Sequence, residues 1–328
     1  MLQIDPLKRP PNAELELSGS KSITNRALLI AALAEGKSTL SRALFAEDTL
    51  AMINCLQEFG IDIKHDHTTA TIAINGSGGE LETPQEELWV RQSGTTARFI
   101  LPLSALVKAP IEVDGDNQIR SRPQHDLLLA LNELGVEIAH NGEMGHLPLT
   151  IDGSNLTVTD ISVSGETSSQ YLSALLLVGP CLPEKITLTL EGNAVSTPYI
   201  QMTIEIMKAF GAQVDSSKPN SYTVHPTGYL GRDYEIEADA STASYFFAAA
   251  AASKGRVVVN GLGSNSIQGD LEFVEILQQM GAQTLIRPNS IEVTGPTRLD
   301  GIDISMKNIS DTAPTLASIA PFASSPVR

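Results

Sequence analysis

The sequence predicts an α/β protein built from one repeated unit of helix, strand, helix and one or two further strands. Three observations point there. The ends of four amphipathic helices share a pattern, at Leu56–Ile63, Leu131–Ile138, Met207–Val214 and Leu277–Thr284, with Gly60, Gly135, Gly211 and Gly281 recurring every 70–76 residues. Each reads as a helix that stops at a left-handed glycine and turns directly into a strand. Upstream of each lies a Ser/Thr-rich helix start, an Ala/Leu-rich helix and a β-branched strand, the starts falling at Ser20–Arg26, Ser93–Arg98, Thr167–Tyr171 and Ser241–Tyr245. The unit is too long for a solenoid repeat, so several copies must pack together to cover their faces.

In the first unit, Ile23, Ala27, Ile30, Ala31 and Ala34 fall at helical spacing and bury one side. Ser22 and Arg26, four apart, share a different side with Lys21 and Asn25 beside them. A helix N-terminus offers unpaired N–H groups and partial positive charge. Lys, Arg and hydroxyl donors added there make a receptor for a phosphate or carboxylate. A Ser cap on a solvated first turn would need no such crowd of donors. The segment is not a P-loop, because no glycine lies between Met1 and Ser18. Further on, His65-Asp66-His67 sits between the strand-like runs Ile61–Lys64 and Thr69–Ile74, which predicts a solvated hairpin turn rather than a metal site.

The second unit offers Gln92–Arg98, in which Gly94 lets backbone N–H groups approach a ligand closely and Arg98 stands four residues on. Its loop from Asp114 to Arg122 is expected to enter a helix at Pro123, the proline holding Arg122 extended for a two-pronged grip on an anion. The third unit presents Ser168, Ser169 and Gln170 at one helix start, and Ser196, Thr197, Pro198 and Tyr199 at the next. Capping explains one hydroxyl in each place; the Ser-Ser-Gln triplet suits a polyhydroxylated ring. A domain boundary is expected near Tyr234–Ala238, before the Ala-rich helix of the fourth unit. A fifth unit opens at Ser310–Thr315 and reaches Arg328 in mid-unit. If the architecture needs an even set, about a hundred further residues are expected at this period. Asp311 in that unit reads as a proton acceptor, a hydroxyl orienter or a plain helix cap.

Composition narrows the partners. The chain has 328 residues, 42% hydrophobic and 18% charged, an ordinary globular balance. A net charge of −16 argues against nonspecific nucleic-acid binding. An anionic ligand must therefore be held by cations gathered locally against the global field. Cys55 and Cys181 stand without a partner motif and read as buried free thiols. The six histidines show no metal-ligand pattern. The start Met1–Asp5 lacks a signal-peptide layout, and the longest apolar run, about Leu172 to Leu182, is too short to span a bilayer. A cytoplasmic location and no membrane partner are expected.

In order along the chain, Gly19–Arg26, Ser93–Arg98, Arg122-Pro123, Ser168–Gln170, Ser196–Tyr199, Asp239–Tyr245, Gln268–Asp270 and Asp311–Thr315 resemble the motifs of the 5-enolpyruvylshikimate-3-phosphate synthase family. The resemblance runs over the whole chain. It implies a two-domain inside-out α/β barrel of βαβαββ-type units, with residues 20–236 forming a shikimate-3-phosphate-binding domain. Residues 1–19 with 237–328 would form a second, incomplete domain. It implies that Lys21, Ser22 and Arg26 bind shikimate 3-phosphate, with Ser168, Ser169, Gln170, Ser196 and Tyr199 on its phosphate and ring. Lys21, Gly94, Arg122 and Gln170 would hold phosphoenolpyruvate, and Asp311 would contact the attacking hydroxyl. Lys21 and Asp311 are the catalytic candidates. The implied reaction adds the 5-hydroxyl to phosphoenolpyruvate and then expels phosphate, with no metal or organic cofactor, in a monomer.

The chain departs from the family pattern in two ways. Gln92 stands where the family usually has Asn. The family's Arg-x-Lys-Glu segment, a later His-Arg pair and a C-terminal Lys do not occur up to Arg328, so the chain is expected to bind shikimate 3-phosphate better than it turns it over. Two alternatives stand beside this reading. UDP-N-acetylglucosamine enolpyruvyl transferase shares the repeat, but that family starts its first helix with Lys-Asn and carries a Cys in its mobile loop. A catalytically silent binding fragment is the other.

Overall fold

A computed structural model describes residues 8–164, 168–192 and 196–328. Internal contacts divide the chain into a larger unit, Lys21–Ile236, and a smaller one made of residues 8–20 and 237–328.

The N-terminal strand β1 (Asn12–Glu16) belongs to the smaller unit. The larger unit then runs through α1 (Lys21–Leu33), β2 (Glu35–Ser41), α2 (Glu47–Glu58), β3 (Asp62–Asp66) and β4 (Thr71–Ser77). Its second repeat is β5 (Leu88–Trp89), α3 (Gly94–Ser104), β6 (Pro110–Asp114), the short turn α4 (Asn117–Arg120), α5 (His125–Glu133), β7 (Glu137–His140) and β8 (Leu149–Asp152). The third is β9 (Ile161–Ser164), α6 (Ser169–Val178), β10 (Ile186–Glu191), α7 (Thr197–Ala209), β11 (Val214–Asp215) and β12 (Ser221–Val224), followed by β13 (Asp233–Glu235). The smaller unit continues with α8 (Ala240–Ser253), β14 (Arg256–Asn260), α9 (Glu272–Gln279), β15 (Gln283–Ile286), β16 (Ser290–Thr294) and α10 (Ala313–Ile319). The four repeat glycines have φ of 83°, 76°, 89° and 101°. Only a residue without Cβ adopts that region readily, which is why the helix stops there in every copy.

The four sheets share one topology: β13-β2-β4-β3, β5-β6-β8-β7, β9-β10-β12-β11 and β1-β14-β16-β15. In each, the leading pair is parallel and the other two pairs are antiparallel. The leading strands of the first and fourth sheets are exchanged along the chain. By repeat order β1 precedes α1, yet it pairs with β14; β13 precedes α8, yet it pairs with β2. The third repeat therefore hands its outgoing strand back to the first sheet and closes the larger unit.

Helix contacts follow the same cycle. The second helix of each repeat packs on the first helix of the next: α2 on α3, α5 on α6, and α7 back on α1. The first helices sit at the centre. Every residue of α1 from Ile23 to Leu33 is buried, including Thr24, Asn25 and Arg26. The expected single buried side of α1 is thus a helix covered on every side from Ile23 onward, because neighbours surround it. Tyr171 to Val178 of α6 are likewise buried.

A close approach ties sheets to helices. A Cβ on Gly76 would lie 2.1 Å from the Ala34 carbonyl oxygen, one on Gly153 2.0 Å from that of Ala105, and one on Gly295 2.1 Å from that of Ala250. Three repeats thus seat a glycine at the end of the last strand against the end of their first helix. The backbone atoms met there cannot swing aside. Gly153→Ala is expected to lower unfolding free energy by about 1–3 kcal/mol, the usual cost of overpacking, as read from urea denaturation.

Candidate active site

The start of α1 places Lys21 first in the helix, exposed, while the rest of the helix from Ile23 to Leu33 is buried. Lys21 Nζ lies 3.4 Å from Asp48 Oδ2 in the first turn of α2. In the second repeat, Ser93 caps α3 by accepting a hydrogen bond from the Thr96 amide (3.1 Å), so Gly94 opens the helix at its positive end. In the third, Ser168 caps α6 by accepting from the Gln170 amide (3.2 Å). Thr167, part of the expected helix start, lies outside the described residues.

These three starts meet on one cavity of about 280 Å³. Lys21, Gly94, Arg122 and Gln170 all line it, and so do Glu47, Asp48, Gln92, Thr95, Arg98 and Gln118. Arg98 Nη1 donates to Gln170 Oε1 (2.5 Å), and its guanidinium lies 5.3 Å from the Tyr171 ring centroid. A Cβ on Gly94 would sit 3.0 Å from Arg122 Nη1 and 3.7 Å from Arg98 Nη1, so both guanidinium groups crowd the glycine. Burial depresses the Arg98 pKa, Tyr171 opposes this, and the Arg122 charge lowers it further. Two mutually repelling cations beside three helix N-termini form an anion site in electrostatic terms.

Arg122 is carried by a loop differing from expectation. Between Asp114 and Arg122 the chain makes the helical turn α4, and α5 begins at His125 rather than at Pro123. Arg120 grips the buried Asp114 with both Nε and Nη2. The Asp114 carboxylate also accepts from the Gly115 amide (2.7 Å), and Tyr171 Oη–H donates to the Pro123 carbonyl (2.8 Å). Arg122 thus hangs from a loop pinned at both ends.

The remaining predicted residues do not line this cavity. Arg26 is 2% exposed, with Nε donating to Thr203 Oγ1 (2.7 Å) and Nη1 to the Ser22 carbonyl (2.9 Å). Its guanidinium lies 5.3 Å from the Phe99 ring and 5.9 Å from that of Tyr199. Burial lowers its pKa to about 10, with Tyr199 opposing, and Nη2 has no hydrogen-bond partner. Arg26 stands beside Ser22 as their spacing implies, but on a side that is buried, because α7 closes over it through Thr203. A buried guanidinium with an orphaned N–H retains unmet capacity for an acceptor. Ser169 is buried, and Ser196 adopts a left-handed φ of 54° before α7. Asp311 is exposed in the turn Ser310–Thr312 of the smaller unit.

Sequence reasoning missed Glu47, Asp48, Thr95 and Gln118, and gave Arg98 no binding role. Glu47 and Asp48 read as ordinary acids in a first helical turn, and only the fold brings them beside Lys21. The cavity's cations outnumber its acids three to two. Two further expectations are refined. His65 and His67 do lie at a hairpin, but against Phe45, His67 stacked on its ring at a centroid separation of 4.1 Å and His65 tilted at 5.5 Å. Cys55 is buried and Cys181 only partly so, both being free thiols that burial pushes up to about 12. Among the described residues no His/Cys/Asp/Glu group could hold a metal ion, and no helix is long and apolar enough to cross a membrane.

Arg122→Ala is expected to weaken inorganic phosphate binding by about 1.5–3 kcal/mol, the range for a charged hydrogen bond. Asp48→Asn should instead tighten it by up to about 1 kcal/mol, because an exposed ion pair with Lys21 competes only weakly. Isothermal calorimetry reads both, and a loss of affinity in Asp48→Asn would contradict the competition.

Known proteins resemble this chain over nearly its whole length. The profile of the EPSP synthase (3-phosphoshikimate 1-carboxyvinyltransferase) family matches residues 8–328. A 3-phosphoshikimate 1-carboxyvinyltransferase of Trichormus variabilis is 43% identical over 327 residues, covering 99% of this chain and 77% of the relative. Another from Methanothermobacter thermautotrophicus is 37% identical, covering 93% and 71%. The EPSP synthase structure from Acinetobacter baumannii superimposes with a TM-score of 0.82 at 25% identity, covering 97% and 73%. The enolpyruvyl transferase NikO from Streptomyces tendae shares the fold, with a TM-score of 0.78 at 16% identity over 98% and 75%. The match over nearly the whole chain and the convergence of the repeated helix starts lead to one assignment: the chain belongs to the EPSP synthase (3-phosphoshikimate 1-carboxyvinyltransferase) family.

Proposed function

We propose that this chain transfers the enolpyruvyl group of phosphoenolpyruvate to the 5-hydroxyl of shikimate 3-phosphate, releasing phosphate. The observation that carries the reading is the meeting of Lys21, Gly94, Arg122 and Gln170, from three successive repeats, on one cavity rich in cations. These residues take phosphoenolpyruvate: Arg122 forks its carboxylate or phosphate, and Lys21 supplies a point charge. Residues 20–236 form the shikimate-3-phosphate-binding domain. There Ser22, Ser168, Ser169, Gln170, Ser196 and Tyr199 serve its hydroxyls and phosphate, and the orphaned Nη2 of Arg26 takes an anionic oxygen.

The chemistry needs a proton delivered to the methylene carbon of phosphoenolpyruvate while the hydroxyl oxygen bonds to the adjacent carbon. A tetrahedral intermediate forms, then loses phosphate and a methyl proton to regenerate the double bond. Cations fixed before reaction stabilise charge on the phosphate and carboxylate as that carbon becomes oxocarbenium-like. Lys21 is the catalytic candidate at the cavity, and Asp311 the group that orients or deprotonates the attacking hydroxyl. The protein is read as a cytoplasmic monomer, which sedimentation and fractionation test directly.

Phosphate release from the two substrates together, set against calorimetric binding of shikimate 3-phosphate alone, decides between an enzyme and a silent binding module. Binding without release establishes the module; no binding of either substrate overturns both. Arg26→Ala is expected to weaken shikimate 3-phosphate binding by about 1.5–3 kcal/mol. Unchanged affinity in that folded variant would remove Arg26 from the site.

A further inference from the structure

A second cavity of about 330 Å³ lies in the larger unit, at the small end of the range for small-molecule sites. Trp89, Arg91, Glu58 and Glu87 line it, with the Asn54 amide. Opposite charges facing one surface crease would normally pair across it. Here, among the described residues, no ion pair joins Arg91 to Glu58 or Glu87. Both signs stay available to a ligand that carries both.

The indole is also held available. Trp89 is 45% exposed between Leu88 and Val90, both fully buried, so its neighbours anchor the strand and leave the ring at the surface. Its carbonyl accepts from the Cys55 thiol at 3.9 Å. Arg91 has a φ of 53°, a left-handed conformation that costs a non-glycine residue energy and persists only where the surroundings impose it. They do so here. The Arg91 carbonyl accepts from the Asp116 amide (2.9 Å), and Gly115 packs so closely that a Cβ would lie 2.4 Å from that oxygen. The backbone thus fixes the base of the Arg91 side chain. Glu87 lies in a negative field: burial, then Asp114 and Glu112, raise its pKa, against the pull of Arg120. A ligand ammonium would relieve that field.

We propose that this cavity binds a zwitterionic α-amino acid with a flat apolar side chain. The carboxylate meets Arg91, the ammonium meets Glu58 and Glu87, and the side chain lies against Trp89. A guanidinium matches a carboxylate in two-pronged geometry, and a ring on an indole face is a favoured aromatic contact. The proposal is independent of the enzymatic reading, although the segment Trp89–Gly94 also lends Gln92 and Gly94 to the first cavity.

Trp89 is the only tryptophan in the chain, so intrinsic fluorescence reports this cavity directly. L-Phenylalanine is the probe, with phenethylamine and 3-phenylpropionate as analogues that each lack one charge. A saturable change with phenylalanine is expected, at least tenfold weaker with each analogue. Arg91→Asn keeps a residue tolerant of the left-handed backbone and should weaken phenylalanine binding about tenfold or more, toward the affinity for phenethylamine. The near-isosteric Glu58→Gln should weaken it several-fold. No saturable change, an equal response to all three compounds, or unchanged binding in both variants with native circular dichroism would each overturn the proposal.

Discussion

Complete burial of the first helices is the constraint on which the larger unit depends. Once α1 and α6 are covered on every side, their bodies have no room for chemistry, and water reaches them only at their ends. Open access for a ligand is therefore concentrated near the first turns, where N–H groups lack intrahelical partners and the backbone dipoles sum to positive charge. Lys21, Gly94 and Gln170 occupy those turns in three successive repeats and share one cavity. The Ser caps of α3 and α6 each satisfy one amide of their terminus.

Charge has to be concentrated against the protein's own field. The chain carries −16 overall, yet Lys21, Arg98 and Arg122 converge at one place. Acids moderate that repulsion: Asp48 stands beside Lys21, and Glu47 Oε2 accepts from Gln92 Nε2 (2.7 Å). Such exposed pairs hold their partners weakly and yield to a competing anion. Arg26 follows the opposite logic. Its charge is already dehydrated among Phe99, Tyr199 and Thr203, so an acceptor meeting Nη2 would find a donor that has little water left to lose.

The strand exchange gives this arrangement its closure. Because β13 returns to pair with β2, the first and third repeats are joined through main-chain hydrogen bonds as well as side-chain packing of α7 on α1. The same exchange sends β1 to β14 in the smaller unit. The two chain crossings between the units therefore lie just beyond strands fixed in sheets.

Much of the fold was legible in residues. The glycine after each helix specifies its own stop through a backbone region closed to other residues, and the period of the repeat follows from those four positions. The hydrophobic spacing of α1 announced a helix. It could not announce that the helix is covered all round, since burial of Thr24, Asn25 and Arg26 depends on α2, α3 and α7 arriving from elsewhere. Site residues divided the same way. Lys21, Gly94, Arg122 and Gln170 stood out as donors at helix starts, a local property. Asp48 opposite Lys21, Arg98 on Gln170 and the Thr203 hydroxyl under Arg26 are pairings over 27, 72 and 177 residues. Sequence determined which turns end the helices and which side chains stand at their heads. Tertiary structure alone decided which of those heads face one another and which are sealed in the core, because contact across such separations is set by packing and not by local propensity.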